Sequence, residues 1–165
     1  MIELGPEHEA TLRAFEADFG EEPIPAYFVD RAWSHARKVE ELAAWGRGER
    51  LQPGWDPCST FFEVVHQEIV GVVNIRHSLS PALLRWGGHI GYAVRPSRRR
   101  EGHGHRLLAG GLDFLRGLNV VRALLTCDPD NAPSRRIIEA GGGVLQDIHF
   151  HDGHQRLVCR YWIGL

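Results

Sequence analysis

The sequence predicts an α/β (α+β) fold: a mixed, mostly antiparallel, twisted sheet of about six to seven strands flanked by about four helices. Three observations predict it. Short β-branched and aromatic runs recur from residue 59 onward, and two pairs of them are joined by tight connections. Segments with apolar residues at three- and four-residue spacing lie before and between those runs. One such helical segment links two apolar runs as a strand–helix–strand crossover. At 165 residues the chain is expected to form a single domain over 1–165, long enough to bury a core.

Ile2 to Leu4 reads as a short first strand. Pro6 at a helix start and the spacing Leu12, Phe15, Phe19 predict a first helix, ended near Gly20. Pro23 and Pro25 break the chain. A second helix is expected over 27–45, with Phe28, Trp33 (or Ala32), Ala36, Val39 and Leu42 inward and Gly46 and Gly48 as stops. Pro53, Gly54 and Pro57 mark 47–58 as a loop. Strands 59–66 and 69–77 follow, joined at Gln67-Glu68, then a loop over 78–88. Strand 89–95, helix 104–118, strand 120–128 and a short helix 131–140 come next, the last ended by Gly141-Gly142-Gly143. Strands 144–151 and 154–163 flank Asp152-Gly153, the signal of a type I′ turn. The summed order is β-α-α-β-β-β-α-β-α-β-β.

Composition narrows the function. A formal net charge of −2 argues against a dedicated nucleic-acid binder. Glu3, Glu7, Glu9, Glu16, Asp18, Glu21 and Glu22 make the N-terminal region acidic, which reads as a solvated helix face. Cys58, Cys127 and Cys159 are odd in number and widely spaced, so neither a disulfide framework nor a zinc knuckle is expected, and a reducing cytoplasmic compartment is the default. No basic segment with an apolar h-region opens the chain and no apolar run nears the ~20 residues that cross a bilayer, so neither a secretory signal nor a membrane partner is expected. His149, His151 and His154 flank the last hairpin, but no distant fourth ligand accompanies them, and no metal is assigned.

The chemistry concentrates in 95–106. Strand Ile90-Gly91-Tyr92-Ala93-Val94 runs into Arg95-Pro96-Ser97-Arg98-Arg99-Arg100-Glu101-Gly102-His103-Gly104-His105-Arg106, and Leu107, Leu108, Leu112 and Leu115 then mark a helix. Glycines let the backbone approach a ligand, N–H groups at a helix start point at an anion, and arginine forks bind phosphate bidentately. The spacing does not fit the P-loop or the dinucleotide fingerprint.

Arg99-x-x-Gly102-x-Gly104 resembles the Arg/Gln-x-x-Gly-x-Gly/Ala signature of the GNAT superfamily of acyl-CoA-dependent N-acetyltransferases. Thr126-Cys127-Asp128-Pro129-Asp130-Asn131-Ala132-Pro133-Ser134 resembles that family's second cofactor segment, and the element order matches its fold over nearly the whole chain. The resemblance implies acetyl-CoA as acyl donor, with no metal. Arg99, Arg100, Glu101, Gly102, His103 and Gly104 would cradle the pyrophosphate. Backbone groups of Tyr92 and Val94 would meet the pantetheine arm between splayed strands. Asn131 and Ser134 would lie beside the thioester, and the Val94 N–H would serve as oxyanion donor. The acceptor would be a small-molecule or peptide amine, and a homodimer is common in the family.

The pattern departs from the family at one point. Many relatives place a Tyr seven residues after the Asn as general acid, and this chain has Ile138 there. General-base candidates are His89, His77, Tyr92 and Glu63. Trp55 and Trp86, in loops, are candidates for the acceptor wall. The reading these residues favour is direct acetyl transfer to a primary amine in a ternary complex. A non-catalytic acyl-CoA-binding or sensor domain is the first alternative, and a phosphate- or nucleic-acid-binding protein the second.

Overall fold

Strand pairing divides the sheet in two. In the computed structural model, which describes residues 1–153 and 155–165, β1 (Cys58–Val65), β2 (Glu68–Arg76) and β3 (Ile90–Val94) form an antiparallel meander. β4 (Arg122–Cys127), β5 (Val144–His151) and β6 (Arg156–Gly164) form a second, with β6 central. The described helices are α1 (Glu9–Asp18), α2 (His35–Gly46), α3 (Pro81–Arg85), α4 (His103–Gly117) and α5 (Ala132–Ala140). The α/β class and the antiparallel pairing match the sequence reading. The six strands fall into two halves, and among the described residues β3 and β4 are joined by one bridge, Gly88 to Leu125.

Side-chain alternation gives the first sheet two faces. Phe62, Val72 and Ala93 pack with Leu12, Phe15, Leu42 and Trp45 of α1 and α2. Phe61, Val73, Ile75, Tyr92 and Val94 pack with Leu107, Leu108, Leu115 and Ile138 of α4 and α5. The α4 stripe also carries Gly111, where a Cβ would lie 3.1 Å from Ile90 Cδ1, so the glycine permits close helix–strand packing.

Several boundaries differ for identifiable reasons. The first strand reduces to one bridge, Ile2 with Phe62, because Gly5 and Pro6 turn the chain into a 3₁₀ segment. The second helix starts at His35, where Ser34 accepts from the Arg37 N–H at 3.3 Å. Before it, Asp30 accepts from the Ala32 N–H at 2.8 Å in a local turn. Phe28 and Trp33 therefore lie outside the helix, Ala36 is exposed, and Lys38 occupies the buried stripe. The loop over 78–88 contains α3, started by Ser80 as cap and Pro81 in the first turn. The β1–β2 turn is His66-Gln67, both at positive φ (49° and 67°), one residue earlier than expected. The final hairpin pairs His151 with Arg156 across a four-residue connection, longer than a type I′ turn; His154, expected to start its strand, lies outside the described residues.

A buried polar triad anchors the segment between α1 and α2. Lys38 Nζ donates to Glu16 Oε1 at 2.6 Å and to the Arg31 carbonyl at 3.0 Å, and the Tyr27 hydroxyl donates to the same Glu16 oxygen. Glu16 and Lys38 are 8% and 4% exposed, so Glu16 departs from the solvated acidic face expected of its neighbours. Lys38→Met is expected to destabilise the fold by about 3 kcal/mol in urea unfolding, because it strands a buried carboxylate.

Candidate active site

The gap between β3 and β4 closes at one end and opens at the other. At the closed end the His89 N–H donates to the Leu124 carbonyl at 2.7 Å, and His89 Nδ1 accepts from the Leu124 N–H at 2.9 Å. The Gly87 N–H donates to Thr126 Oγ1 at 3.0 Å. A Cβ on Gly88 would lie 2.4 Å from the Leu124 carbonyl oxygen, so only glycine allows this approach. From the joint both strands run toward helix starts, β3 into the basic loop and α4, β4 into Asp128–Asn131 and α5.

The pairing phase exposes one edge of β3. The Arg95 N–H donates to the Val70 carbonyl at 2.9 Å, and the Arg76 N–H to the His89 carbonyl at 2.8 Å. Counting by twos, Ala93 and Gly91 bond to β2, so the backbone groups of Tyr92 and Val94 face the gap.

At the mouth of the gap, Gly102 caps α4 with φ 83° and ψ 0°. Among the described residues, no protein acceptor takes the backbone N–H groups of Arg100 to His105, leaving a row of donors at a helix start. Arg98 is committed to Glu68 at 2.8 Å and Glu101 at 3.0 Å, which fixes the loop. Arg99 and Arg100 are exposed, and Arg99 makes a 3.4 Å contact with the Val94 carbonyl. Arg100 adopts φ 67°. Beneath the loop, buried His103 lies between Glu63, 3.1 Å away, and Glu101, 3.4 Å away, so its backbone alone is available to a ligand. Gly104 admits α5: a Cβ there would lie 2.6 Å from Ile137 Cδ1.

At the start of α5, Asn131 Oδ1 accepts from the Ser134 N–H at 3.1 Å, a cap in full. Tyr92 reaches the same turn, its hydroxyl 3.3 Å from Ser134 Oγ. Burial pushes the Tyr92 phenol up to about 12 and the Cys127 thiol up to about 11, so both keep their protons at neutral pH. Ile138 is 1% exposed in the core, away from any ligand.

The structure does not gather the four base candidates. Glu63 receives Arg106 Nε at 2.5 Å and braces the start of α4. His77 bonds Ser59 Oγ at 2.9 Å and stacks near Phe114, eleven residues and roughly 16 Å along α4 from His103. Tyr92 holds its proton. His89 is 5% exposed and spends Nδ1 on Leu124. Burial, with the Arg76 charge nearby, pulls its pKa down to about 4.

That shift carries a stability signature. Between about pH 6.5 and pH 4 the unfolded chain binds a proton at His89 that the folded chain refuses, so stability falls as pH drops through that window. His89→Gln, which keeps an acceptor for Leu124, is expected to be less acid-sensitive there by roughly 2 kcal/mol, read from urea unfolding at each pH.

The tryptophans also divide. Trp33, Trp45 and Trp55 form an aromatic row with centroid spacings of 6.5 and 5.4 Å, continued by Phe28 at 5.6 Å from Trp55. Trp86 ends α3, with the Arg156 guanidinium 5.6 Å from its ring. Among the described residues no group of His, Cys, Asp and Glu is arranged to hold a metal ion, and no helix is long and apolar enough to cross a membrane.

The fold has parallels among solved structures. The chain superposes on a GNAT-family acetyltransferase from Streptococcus pneumoniae with TM-score 0.67 at 16% identity, covering 99% of this chain and 98% of that one. It superposes on RimJ of Mycobacterium smegmatis in complex with CoA-disulfide with TM-score 0.65 at 22% identity, covering 96% and 77%. A Salmonella typhimurium acetyltransferase that modifies the N-terminal serine of ribosomal protein L7/L12 gives TM-score 0.69 at 15% identity, covering 99% and 93%. No curated protein sequence matches the chain. The model of the Acetyltransferase (GNAT) family matches residues 11–142, most of the chain, including the gap and both helix starts, and the chain belongs to that family.

Proposed function

We propose that this enzyme transfers the acetyl group of acetyl-CoA to the neutral primary amine of a small molecule or peptide, by direct attack in a ternary complex. One observation carries the reading: a strand edge left unpaired by β2 leads to a helix start whose N–H groups have no protein acceptor among the described residues, with the exposed Arg99 and Arg100 beside it. The donor row from Arg100 to His105, with the Arg99 and Arg100 forks, suits a pyrophosphate. The Tyr92 and Val94 edge suits the amides of pantetheine, which add like a strand. The Val94 N–H, facing the gap, stabilises the developing oxyanion. Asn131 and Ser134 border the thioester end.

The Tyr92 phenol, protonated and next to Ser134, donates to the departing thiolate in place of the tyrosine that Ile138 displaces. With His89, His77 and Glu63 committed elsewhere and Tyr92 protonated, the amine enters neutral and its proton leaves to water. Cys127, held as a thiol, is a poor nucleophile, which favours direct transfer over an acyl-enzyme. The free thiols Cys58, Cys127 and Cys159 fit a reducing cytoplasm.

Thermal unfolding with acetyl-CoA, coenzyme A and 3′,5′-ADP, followed by free-thiol release across an amine panel, tests this. The expected result is the largest stabilisation with acetyl-CoA and thiol release that depends on an amine. Stabilisation without amine-dependent release would favour the binding-module reading. Equal stabilisation by unrelated polyanions would overturn the acetyltransferase reading.

A further inference from the structure

The face of β3 opposite α4 and α5 carries a cation with no carboxylate partner among the described residues. Alternation turns Tyr92 toward Gly104 and Ser134, and so turns Gly91 toward α1, α2 and the segment between them. Arg76 ends β2 on that same face. Its guanidinium is half-buried over Gly91, 5.2 Å from the Phe28 ring centroid, and gives one long hydrogen bond, 3.4 Å to the Gly87 carbonyl. Among the described residues no Asp or Glu pairs with it, although most other buried or half-buried arginines here have a carboxylate or carbonyl within 3.2 Å. Burial pushes Arg76 down to about 10, and the nearby ionisable groups are the Cys58 thiol and His89.

A half-buried guanidinium with five donors and one weak bond is an incomplete arrangement. A second group on this face is also incomplete: Asn74, the strand partner of Gly91, is fully buried, and its Oδ1 has no donor among the described residues. Gly91 is what lets Arg76 lie against β3: a Cβ there would come within 3.3 Å of Arg76 Nη1 and 3.0 Å of Ala26 Cβ, so the absent side chain leaves room for the guanidinium beside the β3 backbone. Phe28, 40% exposed and backed by Trp55, forms an apolar wall.

The location fits the other substrate. If the acyl donor fills the gap from the side of α4 and α5, the attacking amine approaches from the opposite face, where Gly91 and Arg76 lie. We propose that Arg76 is the carboxylate-binding group of the acceptor site, so that the acceptor is a small amine bearing a carboxylate, of the free amino acid class. The inference rests on the acetyltransferase reading for the direction of approach. The guanidinium takes the carboxylate as a fork, the amine points along β3 toward Tyr92 and Val94, and an apolar side chain packs against Phe28.

Binding tests it independently of turnover. The full-length protein is saturated with coenzyme A, and thermal unfolding is followed with each of the twenty amino acids, with the corresponding amino acid amide, and with the decarboxylated amine. At least one amino acid is expected to stabilise the protein while its amide and decarboxylated amine bind about 10²-fold more weakly. Arg76→Gln is expected to lose that discrimination, and Arg76→Lys to keep part of it, with the coenzyme A shift retained in both as proof of folding. Stabilisation by no amino acid, equal stabilisation by the amides, or full discrimination in Arg76→Gln would overturn the proposal. Thiol release in the same samples separates this from the broader reading: acetylation of amines without carboxylate selectivity defeats the Arg76 assignment alone, and amino acid binding without thiol release defeats the transferase reading alone.

Discussion

Tyr92→Phe is expected to lower kcat by about 10²–10⁴-fold, the range for losing one proton donor, with little change in the KM of either substrate. The ring stays, so packing against Gly104 stays, and only the hydroxyl near Ser134 is removed. The thiolate then leaves without a proton from the protein. The deficit should shrink for an acyl thioester of a more acidic thiol, whose anion needs no proton, and a purely structural tyrosine would show no such dependence. Because burial lifts this phenol to about 12, its titration leaves activity intact through the neutral and mildly alkaline range. A Tyr92→Phe enzyme with wild-type kcat would assign the proton to solvent.

Arg99→Glu with Arg100→Glu is expected to weaken coenzyme A binding by roughly 10²–10⁴-fold, since two charge-assisted hydrogen bonds are lost and two like charges face the phosphates. Calorimetric titration reads the effect directly. The fold should be nearly unaffected, because both side chains are exposed and neither is ion-paired among the described residues. Arg100→Gly separates charge from backbone. It relieves a non-glycine residue at φ 67°, so stability should hold or rise slightly, yet affinity should still fall by about tenfold. Unchanged affinity in the double variant would leave the backbone N–H row as the sole anion site.

Much of this molecule was legible from residue order. Alternating runs located the six strands, and the stripe Leu107, Leu108, Leu112, Leu115 located α4. The glycine spacing after Val94 and the Asn131 cap marked both helix starts that border the gap. These signals are local: they depend on side-chain period, backbone freedom and capping, all of which act within a few residues. Where competing local signals went unread, boundaries moved. Asp30 and Ser34 outweighed the apolar spacing of Phe28 and Trp33, and Ser80-Pro81 started a helix inside an expected loop.

The assignment of chemistry was not local. His89, His77 and Glu63 have the right side chains for a base, and nothing in their neighbours by sequence reveals that Leu124, Ser59 and Arg106 occupy them. Lys38 is buried because α1 brings Glu16 to it across 22 positions. Arg76 is one of many arginines in the sequence; the fold sets it apart by giving it no counter-ion among the described residues. The sequence by itself determined the family, the strand and helix inventory and the glycine-punctuated basic loop at the start of α4, because those follow from patterns along the chain. The tertiary structure decided which titratable groups are free, which are spent and which are incomplete, because burial and pairing are properties of residues distant in sequence and adjacent in space.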